Sequence, residues 1–392
     1  MDMELTPEQA RAHAAFKAFV DEQVLPFADQ WDRQEALSTA IIQAMAREGY
    51  LGAALAKEHG GGGMDSVTFG LLCEEIGRGS ASLLSLLTVH GMVCQALAFW
   101  GSDAQKRNLL PRLATGEVLG AFALTEPGIG SDAKNVETTV TQHENGSYLL
   151  NGDKKWISCG QIADVFLVFA QLEGKAVAFL VEKDRQGFSR QPITGLLGFR
   201  AAMLASLAMR ECVVPEENMV GRPGFGFSHV AGLALDHGRF CVGNGCVGLT
   251  RACLEACLEY THHRKQFGVY LREHPLLQKM IADMITQVEA ARLLCRDAGR
   301  LKEERNPRSI MAISTAKYFA STVAARAASD AVQIHGANGC GPDYPVQRYF
   351  RDAKIMEIIE GSNQIQQTII AKYGHLDFIR SRKAREKKNR QP

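Results

Sequence analysis

Apolar residues in the first third of the chain recur at three- and four-residue intervals. Phe16, Phe19, Val20, Val24 and Phe27 fall on one helical face, and the same spacing predicts amphipathic helices over 36–49, 66–78, 84–100 and 103–115. The first helix opens at Thr6-Pro7-Glu8-Gln9, which offers a capping hydroxyl, a proline in the first turn and a glutamine that can reach back. Gly60 to Gly63, following His59, interrupt the helical period with a permissive loop. A phosphate cradle there has no further support.

Between 120 and 225 the period shortens. Val165 to Leu172, Ala176 to Lys183 and Ser206 to Val214 read as strands, and Asn151-Gly152 is the dipeptide of a two-residue hairpin turn. A compact antiparallel β domain is expected. From 228 onward the helical period returns over 228–263, 275–303, 308–335 and 345–373, predicting a four-helix bundle. The fold class is α+β: a helical domain over 1–119, a β domain over 120–226, a bundle over 227–380, and a basic tail over 381–392. With six basic residues against Glu386 and no apolar face, that tail is expected to be solvated and disordered.

Composition narrows the function more than the fold. The 392 residues are 46% hydrophobic and 22% charged, with a formal net charge of +1, so no broad field favours nucleic acid or an anionic membrane. A small-molecule site is the better expectation. The ten cysteines are scattered through apolar stretches rather than packed as a disulfide framework, pointing to a reducing, cytoplasmic setting. Residues 1–10 lack the features of a signal or transit peptide, and no run of eighteen uninterrupted apolar residues suggests a membrane span.

Three segments carry candidate chemistry. In Ala123 to Asp132, two glycines and Pro127 shape a loop edged with hydroxyls and carboxylates, suited to presenting backbone N–H groups to an anion or heterocycle. Trp156-Ile157-Ser158 places an aromatic face beside a hydroxyl, able to bracket a planar ring, although a core tryptophan is the plainer reading. Glu360 stands between Ile359 and Gly361, where apolar neighbours would raise its pKa toward that of a useful base; an ordinary helix-end glutamate is the alternative.

Together with Arg264-Lys265-Gln266-Phe267-Gly268, Gln333-Ile334-His335-Gly336 and Arg351-Asp352-Ala353-Lys354-Ile355, these segments resemble the acyl-CoA dehydrogenase family over nearly the whole chain. The resemblance implies FAD held between the β domain and the bundle, and a homotetramer, with a homodimer as the alternative. Phe122, Leu124 and Thr125 would touch the flavin, Trp156 would flank its ring and Ser158 would lie near N5. Arg264, Gln266 and Phe267 would reach the diphosphate and adenosine, in the same or a neighbouring subunit, with His274, Gln333, Gly336, Ser362 and Gln364 completing that site. Ser131 would meet both the cofactor and the thioester, Asp236, Arg239 and Gly361 would meet the thioester, and Glu360 would take the α-proton. A branch of the family carries its base just before the arginine matching Arg239; Gly238 stands there in this chain.

Pro275 and Ala337 depart from the family pattern, at cofactor contacts rather than at the chemistry. Leu271 to Met284 also resembles the branch that acts on acyl groups carried by acyl carrier protein in polyketide and peptide antibiotic pathways. The resemblance implies α,β-dehydrogenation of an acyl thioester, on coenzyme A or a carrier protein, with electrons passing to an electron-transfer flavoprotein. An oxidase using dioxygen and a non-catalytic flavoprotein are the competing classes. Two further patterns are set aside. Gly243 to Gly248 matches a dinucleotide fingerprint in letters but lies in a helical period, and Cys253, Cys257, His262 and His263 lack the spacing of a zinc site, so no metal is expected.

Overall fold

The computed structural model describes residues 4–388. Six helices open the chain: α1 (Pro7–Gln23), α2 (Leu25–Gln34), α3 (Thr39–Arg47), α4 (Ser66–Gly79), α5 (Ala81–Trp100) and α6 (Asp103–Ala114). Thr6 caps α1 in a reciprocal capping box with Gln9, as the motif predicts. The expected single helix through Phe27 is broken at Val24, because Pro26 removes the backbone donor that would continue it.

The middle sheet comprises β1 (Gly120–Ala123), β2 (Thr139–Gln142), β3 (Tyr148–Ile157), β4 (Val165–Leu172), β5 (Lys175–Glu182), β6 (Phe188–Pro192) and β7 (Ala205–Val214). It is mainly antiparallel, but β1 and β2 each run parallel to β4. Because β5 pairs with β4 along its whole length, β1 and β2 share the other edge of β4 in line with each other, joined by the loop 124–138. Asn151-Gly152 is not a hairpin turn. Both residues lie inside β3, where the register against β7 shifts, and glycine is required because a Cβ would stand 2.5 Å from Thr138 Oγ1.

The unbroken apolar run of β4 follows from burial on both faces. Val165, Leu167 and Phe169 join the helical core, while Phe166, Val168 and Ala170 fill a second core within the sheet.

After a π-helical turn at Gly226–Ala231, the chain enters α7 (Gly232–His263) and a short hairpin of β8 (Lys265–Gln266) and β9 (Val269–Tyr270). Then come α8 (Pro275–Glu303), α9 (Ser309–His335), α10 (Val346–Ile358) and α11 (Asn363–Lys388). Helices α7, α8, α9 and α11 supply the four long members of the bundle. The segment 345–373, expected as one helix, is divided between α10 and α11, and the break contains Glu360. The basic stretch expected to be disordered from 381 onward instead continues α11 to Lys388; residues 389–392 lie outside the described residues.

Helix α5 is long and apolar enough to cross a membrane by length and composition, a feature that counting uninterrupted apolar residues overlooks. Its apolar window is 83% buried within the protein, so that surface is already committed to the core. The glycines of 243–248 serve helix packing: a Cβ on Gly248 would overlap the Glu74 carbonyl oxygen of α4 and stand 2.7 Å from Arg78 N. The stretch is no nucleotide loop.

Candidate active site

The loop after β1 is held from beneath by a buried ion pair. Glu126 accepts from Lys154 Nζ (2.7 Å), from Thr138 N (2.9 Å) and from Glu137 N (2.5 Å), and Lys154 also donates to Leu124 O (3.1 Å). Burial lowers the Lys154 pKa to about 8, while the adjoining Glu126 opposes that shift. Removing two charges from water is repaid here only because almost every polar atom of the pair has a partner. The result is a rigid loop, tied to β3 by Lys155 N donating to Thr125 O (2.9 Å).

One residue further along β3, Trp156 adopts a left-handed backbone (φ 63°) at a register shift, leaving its ring 48% exposed. A bulky residue in that conformation is strained, and the strain turns a large aromatic face outward where a core tryptophan would hide it. The core-tryptophan reading is thereby excluded.

The break between α10 and α11 lines the same cavity as this ring. Glu360 also has a left-handed backbone (φ 54°), followed by Gly361 (φ 84°). Such a turn has to be over-determined by its surroundings, and it is. Arg239 Nε donates to Glu360 O (3.3 Å), and Gln366 Nε2 donates to Glu360 O (3.0 Å) and Gly361 O (2.9 Å). Lys317 Nζ, fully buried, donates to Gly361 O (3.1 Å), Asn363 Oδ1 (3.1 Å) and Glu357 O (3.3 Å). Lys317 and Gln366 were not legible as site residues; the one signal was a lysine at a position of α9 whose helical neighbours, Ile313, Ala320 and Ala324, are all buried.

Glu360 keeps some exposed surface through the adjoining cavity, but its Oε2 is buried and has no hydrogen-bond partner. Burial raises the carboxyl pKa to about 7, opposed by the charges of Arg239 and Lys317 and reinforced by Cys241. Arg239 is itself occupied, pairing with Asp236 Oδ1 at 2.8 Å, and burial raises the Asp236 pKa despite that pair. Gly238 faces the carboxylate so closely that a Cβ there would overlap Glu360 Oε2 and stand 3.0 Å from Met92 Sδ.

Phe122, Leu124, Thr125, Ser131, Trp156, Ser158, Asp236, Arg239, Glu360, Gly361 and Ser362 all line one cavity of about 1310 Å³. That volume exceeds what a single drug-sized ligand fills. The other expected residues stand apart. Arg264 opens onto a second cavity of about 610 Å³ with His335 and Asn338, which flank Gly336. Gln266, Phe267, Gln333 and Gln364 are exposed, and Phe267 meets His274 with ring centroids 6.2 Å apart. Within one chain these residues do not join the first cavity. Among the described residues, His13, Glu74 and Glu75 gather closely enough to suggest a metal, yet both carboxylates are paired to Arg251 (2.9 and 2.5 Å).

Three domain models match the chain in order: acyl-CoA dehydrogenase N-terminal domain over 6–117, middle domain over 121–212 and C-terminal domain over 224–374. The chain is 38% identical over 377 residues to an acyl-CoA dehydrogenase of Bacillus subtilis, covering 95% of this chain and 99% of that protein. A glutaryl-CoA dehydrogenase of Mycobacterium smegmatis, solved in complex with FADH2, superposes with a TM-score of 0.90 at 28% identity, covering 94% of this chain and 95% of the other. A prolyl acyl carrier protein oxidase superposes at 0.89 with 26% identity, covering 94% and 99%. A helical domain, a β domain and a bundle around a deep cavity thus define a flavin-dependent dehydrogenase class, and the chain belongs to the acyl-CoA dehydrogenase family. Its cofactor is FAD, and it is an enzyme of the class that dehydrogenates acyl thioesters.

The residues present fit that cofactor. The outward face of Trp156 and the hydroxyls of Thr125, Ser131 and Ser158 line the outer cavity, where a planar, hydrogen-bonding ring system would be held.

Proposed function

We propose that Glu360 removes the α-proton of an acyl thioester lying in the cavity. The supporting observation is its carboxylate: Oε2 is buried, unpartnered and raised in pKa to about 7, so the group is poised to accept a proton near neutral pH. FAD, when bound, supplies the acceptor for the β-hydride. Phe122, Leu124, Thr125, Trp156 and Ser158 hold and orient the flavin, and Ser131, Asp236, Arg239 and Gly361 meet the thioester. The clamp of Lys317, Gln366 and Arg239 on the turn keeps Glu360 in its strained conformation, so the base need not reorganise when the proton moves.

Arg264, Gln266, Phe267, His274, Gln333, Gly336 and Gln364 bind the diphosphate and adenosine end of FAD belonging to a neighbouring subunit. Their exposure and their separation from the first cavity support this reading, as does the homotetramer the family resemblance implies. Electrons leave to an electron-transfer flavoprotein. The carrier, coenzyme A or acyl carrier protein, is distinguished by offering the same acyl group on both.

Anaerobic mixing of the FAD-loaded protein with thioesters tests the reading. Wild-type flavin bleaches, whereas Glu360→Gln keeps FAD and stays oxidised. Unaltered reduction in that variant would place the base elsewhere.

A further inference from the structure

Beyond Glu360 the cavity runs between α5 and α7. On α5, Met92 lies against Gly238 beside the base, and Thr88, one helical turn toward the N-terminus of α5 and about 6 Å away along the axis, lines the cavity. Thr88 is 3% exposed, and its hydroxyl has no oxygen or nitrogen partner. Opposite it on α7, His237 is buried with both ring nitrogens unpartnered. Its ring stacks on Phe69 with centroids 5.2 Å apart, and it approaches Gly91 so closely that a Cβ there would overlap Nε2. The buried Cys241 thiol lies beside both Thr88 and His237 and offers each only a weak hydrogen bond, leaving their capacity for an oxygen or nitrogen partner unfilled.

Buried polar atoms without partners are uncommon, and each costs stability unless a ligand or water satisfies it. An inner wall built for an alkyl chain alone would be lined with aliphatic side chains, so polar groups near the base whose one polar neighbour is a weakly bonding thiol need another explanation. Charge disfavours a carboxylate at this end, since the remaining lining cation, Lys372, stands on α11 rather than on α5 or α7. Arg239 is bound to Asp236 and Glu360 O, Lys317 donates to three oxygens of the turn, and Glu360 itself would repel a second anion.

We propose that the inner end of this cavity selects short acyl groups bearing a neutral hydroxyl beyond the β-carbon, as in a 4-hydroxybutyryl thioester, with Thr88 as the hydrogen-bonding specificity residue and His237 behind it. The proposal rests on the thioester reading above. It adds a substrate class that this reading leaves open.

Binding to the FAD-loaded Glu360→Gln protein tests it without turnover. Butyryl and 4-hydroxybutyryl groups are offered on coenzyme A and on an acyl carrier protein, and dissociation constants are read by calorimetry and by perturbation of the flavin band. At least tenfold tighter binding of the hydroxylated group is expected, because a site built to hydrogen-bond a hydroxyl rejects the analogue lacking it. Thr88→Val should shrink that ratio to within about twofold, and Thr88→Ser should restore it. Equal or tighter binding of butyryl, or a ratio insensitive to Thr88→Val, would overturn the proposal while leaving the dehydrogenase reading intact. Failure of every thioester to bind or to bleach wild-type flavin would overturn both.

Discussion

Gly238 and Glu360 occupy one shared space: a Cβ on Gly238 would overlap the carboxylate oxygen Oε2 of Glu360. Gly238 lies on α7 and Glu360 in the break between α10 and α11, more than a hundred positions apart, so the base fits only because the facing position has no side chain. Gly238→Ala should therefore displace the carboxylate, with flavin still bound and its reduction by thioester slowed at least tenfold. Stopped-flow absorbance under anaerobic conditions measures this. A rate within twofold of wild type would show that the carboxylate does not need this space.

Glu360 also sets a pH dependence of stability. Its pKa is raised from the ordinary value of 4.5 to about 7 by burial, so the folded protein prefers the protonated acid. For a raised carboxyl pKa, the stability contribution is fully present below about pH 4.5 and is lost as pH rises through about 7. Glu360→Gln, which mimics the neutral acid, should gain stability over wild type at pH 8, on the order of 3 kcal/mol at most. That gain should vanish at pH 4.5. Thermal unfolding at both pH values, without thioester, reads the difference. For the same reason kcat/KM should rise with pH toward a plateau, with a midpoint near 7.

Lys317 holds the turn that carries the base. Lys317→Met removes donors to three oxygens and should cost about 2–4 kcal/mol in unfolding free energy. Glu360 should then relax from its left-handed conformation. The rate of flavin reduction should fall more than thioester affinity does, a split that simple loss of stability would not produce. Lys317→Arg, which keeps a cation, should recover part of the rate.

The Lys154 and Glu126 pair anchors the loop over the cavity. Lys154→Met alone leaves a buried carboxylate uncompensated and should destabilise the protein by about 3–5 kcal/mol. The double variant Lys154→Met with Glu126→Gln should recover much of that loss, because two neutral groups cost less to bury than one unpaired charge. Chemical denaturation of the four proteins forms a cycle that measures the coupling.

Much of this was legible in the sequence, and what was not has physical causes. Helical periods placed α3 to α9 within a few residues, and the Thr6 capping box set the start of α1. The Asn151-Gly152 turn was misread because a bulge and a hairpin draw on the same residues, and only the contact with Thr138 shows which one formed. The division of 345–373 escaped detection because its break depends on hydrogen bonds from Lys317 and Gln366, which are supplied by tertiary packing rather than by local propensity. The basic stretch after 380 lacks an apolar face, which predicts a disordered tail, yet α11 runs on through it to Lys388. At the site, motif order brought eleven expected residues to one cavity. Thr88 and His237 were invisible, since a threonine and a histidine within apolar helices read as ordinary core until their unpartnered atoms are seen.

The most direct test is single-turnover reduction of bound FAD by an acyl thioester, compared between wild type and Glu360→Gln at matched FAD occupancy. The account predicts full bleaching of the wild-type flavin band and none in the variant, with both proteins still binding the thioester. Bleaching of the variant at the wild-type rate would contradict it.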